Sequence, residues 1–106
     1  MLPGDVATFL VIRTQTGPEF DPAKPLEQQT LWREHADYMD EHTERGFFLF
    51  GGPSVDRRVP FAISAESEDE VRAELARDPW HESHLEIVSI EPWTIRLRSP
   101  LLGDRV

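Results

Sequence analysis

The 106-residue chain contains no cysteine. That removes disulfide frameworks, thiolate nucleophiles and cysteine metal sites together. It is also short of cations: 11 Lys and Arg stand against 20 Asp and Glu, for a net charge of −9. Nucleic acids and anionic membrane surfaces are bound through basic patches, so neither is expected as a partner. No apolar run approaches the ~20 residues that cross a bilayer. Residues 1–5 (MLPGD) carry no basic cluster leading into such a run, so a secretory leader is not expected and a cytoplasmic location is. The length suits a single domain spanning 1–106, with a core over about 6–97 and a C-terminal tail over 98–106. A domain this small buries a modest share of its surface, and a partner subunit would help it.

What is present divides into short apolar segments and two amphipathic ones. Residues 6–14 (VATFLVIRT) predict a strand, and 16–25, with Gly17, Pro18, Pro22 and Pro25, a loop. A helix is expected from about Pro25 to Arg45, ending at Gly46. Residues 47–50 predict a second strand, broken at Gly51-Gly52-Pro53. Residues 54–58 predict a turn and 59–65 a third strand, with Pro60 tolerable near its start or at an edge. Ser67 and Glu70 have capping-box spacing and open a second helix that should end near Asp78, because Pro79 follows. Residues 85–97 read as a long last strand with a bulge near Glu91-Pro92. The order β-α-β-β-α-β is the ferredoxin-like α+β arrangement, an antiparallel sheet with two helices on one face. Both phases of the strands are apolar (Phe9 and Val11, but also Leu10 and Ile12). Helices cover one face of a sheet, so the other is expected to pack against a second copy in a homodimer, the alternative being that the C-terminal tail covers part of it.

Two polar residues fall on the buried stripes. At ~100° per residue, Leu31, Trp32, Tyr38 and Met39 share one arc of the first helix, with His35 near its centre and His42 beside it. Arg33, Glu34, Asp37, Asp40, Glu41, Glu44 and Arg45 take the opposite arc. On the second helix Val71 and Leu75 lead on to Asp78, a carboxylate at the end where the helix dipole disfavours it. A carboxylate bonded to one imidazole nitrogen fixes the tautomer and sharpens the other nitrogen as a base. A core imidazole bonded to a backbone carbonyl, and a solvated acid at the helix end, are the structural alternatives. His81 and His84 are three apart on an expected loop, and no metal site is expected from them. Gly51-Gly52-Pro53 lacks the Lys-Ser/Thr of a phosphate loop, and Ser54 and Ser64 have no base beside them.

The ordered set Arg33-x-His35, Tyr38-Met39, Gly46, Gly52-Pro53, Asp78-Pro79-Trp80 and Glu91-Pro92-Trp93 resembles the YCII-related (YciI-like) family over roughly 6–97. The resemblance implies a dimeric α+β barrel in which two sheets pack face to face, and a His–Asp pair, here His35 and Asp78, as catalytic residues. Arg33, Gly52, Pro53 and Trp80 are the matching positions around it, taken as substrate contacts, with Gly52 backbone N–H a candidate to polarise a carbonyl. One member of that family is a dehydrochlorinase of a chlorinated hydroxyquinol, and the fold is similar to that of muconolactone isomerase. The chain departs from the pattern at His81-Glu82-Ser83-His84, where a small residue is usual, and this together with the long loop after the first strand is expected to reshape the pocket rim. The expected function is a small cofactor-free enzyme for elimination, isomerisation or cyclisation of a small cyclic or aromatic substrate. A non-catalytic ligand-binding or regulatory dimer of the same fold is the alternative.

Overall fold

Alternation along the first strand sets the arrangement of the rest. In the computed structural model, which describes residues 7–102, β1 (Ala7–Thr14) buries Phe9, Val11 and Arg13 and leaves Thr8, Leu10, Ile12 and Thr14 half-buried on its other face. Strand β3 (Arg58–Ala65) lies antiparallel beside it, with Phe9 opposite Ile63, Val11 opposite Phe61 and Arg13 opposite Val59. On the other side runs β4 (Glu86–Pro92), also antiparallel, and β2 (Phe48–Gly51) pairs with the outer side of β3. The strand order β2-β3-β1-β4, with α1 (Trp32–Glu44) and α2 (Glu68–Leu75) as crossovers, is the expected ferredoxin-like α+β arrangement. Tyr38, Val71 and Leu75 from the helices pack with Phe9, Val11, Phe61 and Ile63 from the sheet. Among the described residues no helix is long and apolar enough to cross a membrane.

Local chemistry explains the boundaries. Ser67 Oγ accepts from Glu70 N at 3.1 Å and caps α2. Gly46 takes φ of +86° just beyond α1, where glycine has no Cβ penalty. Asp56 and Arg57, at φ of 56° and 61°, make the tight turn into β3. Pro60 sits near the start of β3, where its missing donor is tolerated.

Three expectations are corrected. The first helix begins at Trp32, not near Pro25: a single 3-10 turn, Leu26–Gln28, precedes it, and Leu31 at its N-cap is left-handed with φ of 60°. The chain is diverted because the Gln29 side chain is tied to the backbone at Asp21 and Lys24, and the Thr30 carbonyl to the Trp80 indole. The second helix stops at Leu75, and a tight turn carries the chain to Asp78, whose N–H donates to Leu75 O. The last strand ends at Pro92 rather than near Leu97, and its register slips opposite Ile12/Arg13, at Val88 and not at Glu91-Pro92.

After β4, Trp93 N–H donates to Thr8 O, and the indole reaches across the open face to Phe50, edge to face with centroids 6.5 Å apart. Phe50 stays 49% exposed and Trp93 36%, so the segment covers this apolar face only in part.

The loop after β1 is pinned to the site region. Gly17 N–H donates to His84 O at 3.0 Å, and Glu19 N–H to Ser83 O at 2.8 Å. A Cβ on Gly17 would overlap the Ser83 carbonyl. Gly17→Ala is therefore expected to cost roughly 1–3 kcal/mol of stability, as overpacking does, read as a lowered urea midpoint. Wild-type stability in that variant would show that the loop yields.

Candidate functional site

Three elements deliver three charged or polar groups to one buried point. Arg13 comes inward from β1, His35 from the buried stripe of α1, and Asp78 from the turn after α2. The side chains of Arg13 and Asp78 have no exposure. Arg13 Nη2 donates to Asp78 Oδ2 at 3.0 Å, and His35 Nδ1 donates to Asp78 Oδ1 at 2.8 Å. Trp80 N–H donates to the same Oδ1 at 2.9 Å, an Asx turn across Pro79, which itself has no N–H to offer. His81 N–H closes the turn on Asp78 O at 2.8 Å. The sequence Asp-Pro-Trp thus holds its own carboxylate rigidly.

The carboxylate is strongly stabilised in its charged form. Burial pushes the Asp78 carboxyl up, but the His35 hydrogen bond, the charges of Arg13 and His35 and the Trp80 amide together outweigh it and hold the group below its ordinary value. Asp78 therefore stays ionised, and the Nδ1 proton stays on His35. His35 Nε2 makes no hydrogen bond among the described residues, and the side chain keeps 9% exposure. Arg13 Nε and Nη1 are sealed without a partner among the described residues.

The imidazole is also held on its face. Trp80, 1% exposed, lies flat against His35, centroids 3.9 Å apart and planes at 5°. His84 lies against Trp80 in turn, at 4.7 Å and 10°, and Trp32 tilts against both His35 and Trp80. One turn along α1, Tyr38 Oη donates to Glu74 O at 2.6 Å, satisfying a carbonyl near the C-terminus of α2. Burial, together with the Asp78 and Glu74 charges, pushes the Tyr38 phenol up, so it remains a donor. His42 Nδ1 donates to Tyr38 O at 3.0 Å, and its Nε2 lies 3.1 Å from Glu74 Oε1.

The structure brings His35, Asp78 and Trp80 together. Arg33 lies apart from them in its bonding: it is on the solvent face of α1, its side chain 69% exposed and paired with Asp37 at 3.5 Å. Gly52 follows β2, and its N–H is spent on Pro60 O at 3.2 Å, so it is not a free donor for a substrate carbonyl. Pro53 is exposed on the same turn. Two surface clefts lie off the His35–Asp78 pair. One is lined by Thr14, Arg72, His81, Glu82 and the start of β4, the other by residues between the end of α1 and α2.

The model of the YCII-related domain matches residues 9–94. The chain belongs to the YCII-related domain family. No curated protein matches it. The matched span contains every residue of the candidate site described above.

Two site residues escape a reading of the sequence. Arg13 shares its strand phase with Phe9 and Val11, which is the available signal, but the opposite phase is equally apolar and so neither is marked as inward. His84 stands in a segment that looks like a polar loop, yet it is fully buried.

Breaking a buried ion pair strands the other charge, at about 3–5 kcal/mol. Asp78→Asn is the sharp case: its oxygen can serve His35 and Trp80, but its amide then meets the Arg13 guanidinium donor to donor. We expect the substitution to cost that amount in urea unfolding at pH 7, and less in an Arg13→Met background, where no cation is stranded. Equal costs in the two backgrounds would mean the pair is not coupled. The pH dependence has a definite sign. A carboxyl held low in the folded state contributes fully above its ordinary value of 3.8 and loses that contribution as pH falls toward the lower folded value. Asp78→Asn should flatten this acid limb.

Proposed function

We propose that this YCII-related protein is a small cofactor-independent enzyme in which His35 performs general acid/base chemistry on a small cyclic or aromatic substrate. The observation that carries the reading is the His35 Nδ1–Asp78 Oδ1 bond of 2.8 Å, on a carboxylate that Arg13 also holds. With Nδ1 committed, Nε2 is the atom that gives and takes the proton. Asp78 orients the ring and balances the imidazolium as it forms, and Trp80 offers its π-face to the same cation. Elimination, isomerisation and cyclisation each need such a placed group and little more. Trp80 acts from behind the imidazole rather than as a substrate contact, and Arg33 has no part in the step.

The working unit in this reading is a homodimer. Two copies packed through the open faces of their sheets would cover Leu10, Ile12, Phe50 and Trp93, an apolar surface that monomers seldom leave open. Phe50→Glu should then convert a dimer to a monomer in light scattering. A wild-type monomer at all concentrations would refute the pairing.

The enzyme reading is tested with a panel of small cyclic acids and chlorinated phenols, followed by proton NMR and chloride release. His35→Ala should lose turnover by about 10²–10⁴-fold, the usual worth of a placed acid/base, while still folding, with a cooperative melting transition at a lower temperature because Asp78 loses one of its partners. A folded His35→Ala protein that still turns over would overturn the reading. The second reading, a non-catalytic binding or regulatory dimer, is favoured by one observation: the imidazole is 9% exposed, and neither surface cleft includes it. Saturable binding without turnover, retained in a folded His35→Ala protein, would select it.

A further inference from the structure

His84 is a fully buried histidine with no part in the chemistry described so far, and its bonding is specific. Its Nε2 lies 2.9 Å from Thr30 Oγ1 and its Nδ1 lies 2.8 Å from Ser83 Oγ, while Ser83 Oγ donates to Pro79 O at 3.3 Å. For a neutral imidazole, one proton ordering satisfies all three contacts. Ser83 gives its proton to Pro79 O, His84 Nδ1–H donates to Ser83 Oγ, and Thr30 donates to His84 Nε2. In that ordering His84 is the neutral Nδ1–H tautomer. Burial pushes its basicity down, helped by the His35 charge and opposed by those of Glu19 and Asp78.

Thr30 is the second half of the device. Its hydroxyl meets His84, and its carbonyl accepts from Trp80 Nε1 at 2.8 Å. The next residue, Leu31, holds the left-handed conformation with φ of 60° that begins α1, and Leu31 O accepts from His35 N–H at 3.0 Å. A non-glycine residue stays in that region only where its surroundings over-determine it. The two bonds on Thr30 do so. Thr30 and His84 therefore meet His35 by two routes: through the plane of Trp80, clasped between the two imidazoles, and through the first turn of α1.

We propose that His84, with Thr30, is a positioning residue of the His35–Asp78 pair: it fixes the Trp80 ring and the start of α1 so that the His35 imidazole is presented to Asp78 in one orientation. This rests on the acid/base reading of His35. It assigns to the unusual 81–84 segment a role in setting the site rather than in binding substrate. In the column of His35, Trp80 and His84, His35 is the imidazole bonded to a carboxylate, while His84 is bonded to two hydroxyls.

The test is solvent exchange of the His35 Nδ1 proton, followed by NMR on ¹⁵N-labelled protein with amide protection of Val11 and Ile63 as the control for global opening. His84→Ala removes the ring and both bonds. Thr30→Val is isosteric at an exposed residue and removes one bond, so it remains informative if His84→Ala fails to fold. Faster exchange at His35 is expected in each folded variant, on the order of tenfold for the loss of one neutral hydrogen bond, with the sheet amides unchanged. Exchange at His35 unchanged in the folded variants overturns the proposal. So does acceleration matched by the sheet amides, since His84 would then be purely structural. Failure of the underlying reading looks different: the wild-type protein itself would show no protected Nδ1 proton on His35.

Discussion

The structure turns on one buried carboxylate. Asp78 has no access to water, so its charge must be answered by protein groups, and burying it unanswered would cost several kcal/mol. Arg13, His35 and the Trp80 amide supply that answer from three different parts of the chain. Their convergence ties an inner strand of the sheet, the first helix and the turn after the second helix into one unit. An apolar contact tolerates sliding, whereas this network does not, because a shift by one residue in β1 would take Arg13 to the opposite face. The same interaction serves stability and chemistry, since the groups that keep Asp78 ionised also keep the proton on His35 Nδ1.

Around that point the packing is aromatic and flat. Trp80 is pressed between His35 and His84 and is anchored at its indole nitrogen by the Thr30 carbonyl. The Asx turn that places its amide on Asp78 also sets where the ring emerges, so Asp-Pro-Trp supplies both the acceptor for the imidazole and the wall behind it. The left-handed Leu31 is the local strain this arrangement requires. The further cluster of Tyr38, His42 and Glu74 fastens α1 to α2 along the same polar stripe. It explains how a helix can bury three polar residues and still pack: each one has a partner.

Much of this was legible in the residues. The segregation of Arg33, Glu34, Asp37, Asp40 and Glu41 from Trp32, Tyr38 and Met39 placed His35 inward, because helical periodicity is a strong signal over thirteen residues. Ser67 and Glu70 marked the start of α2 for the same local reason, and Gly46 the end of α1. What failed was non-local. The early start expected for α1 followed from Pro25, but bonds from Gln29 and Trp80 override that preference and hold residues 29–31 out of the helix. The bulge expected at Glu91-Pro92 fell at Val88 instead, since register is settled by the partner strand and β1 carries no mark of it. Arg13 was invisible because both phases of β1 are apolar, and the depth of a charged side chain depends on a partner 65 residues away. The burial of His84 depended likewise on Gly17, whose lack of a side chain lets the first loop close over residues 83 and 84.

The most direct measurement is the titration of the Asp78 side-chain carbon by ¹³C NMR, from neutral pH down to the acid transition. The account predicts that the Asp78 signal keeps its carboxylate position through the range in which ordinary aspartates protonate, near 3.8, and changes only below it or with unfolding. A midpoint at or above that value would show that Arg13, His35 and Trp80 do not outweigh the cost of burial. The buried network would then be no basis for the proton placement on which the proposed chemistry depends.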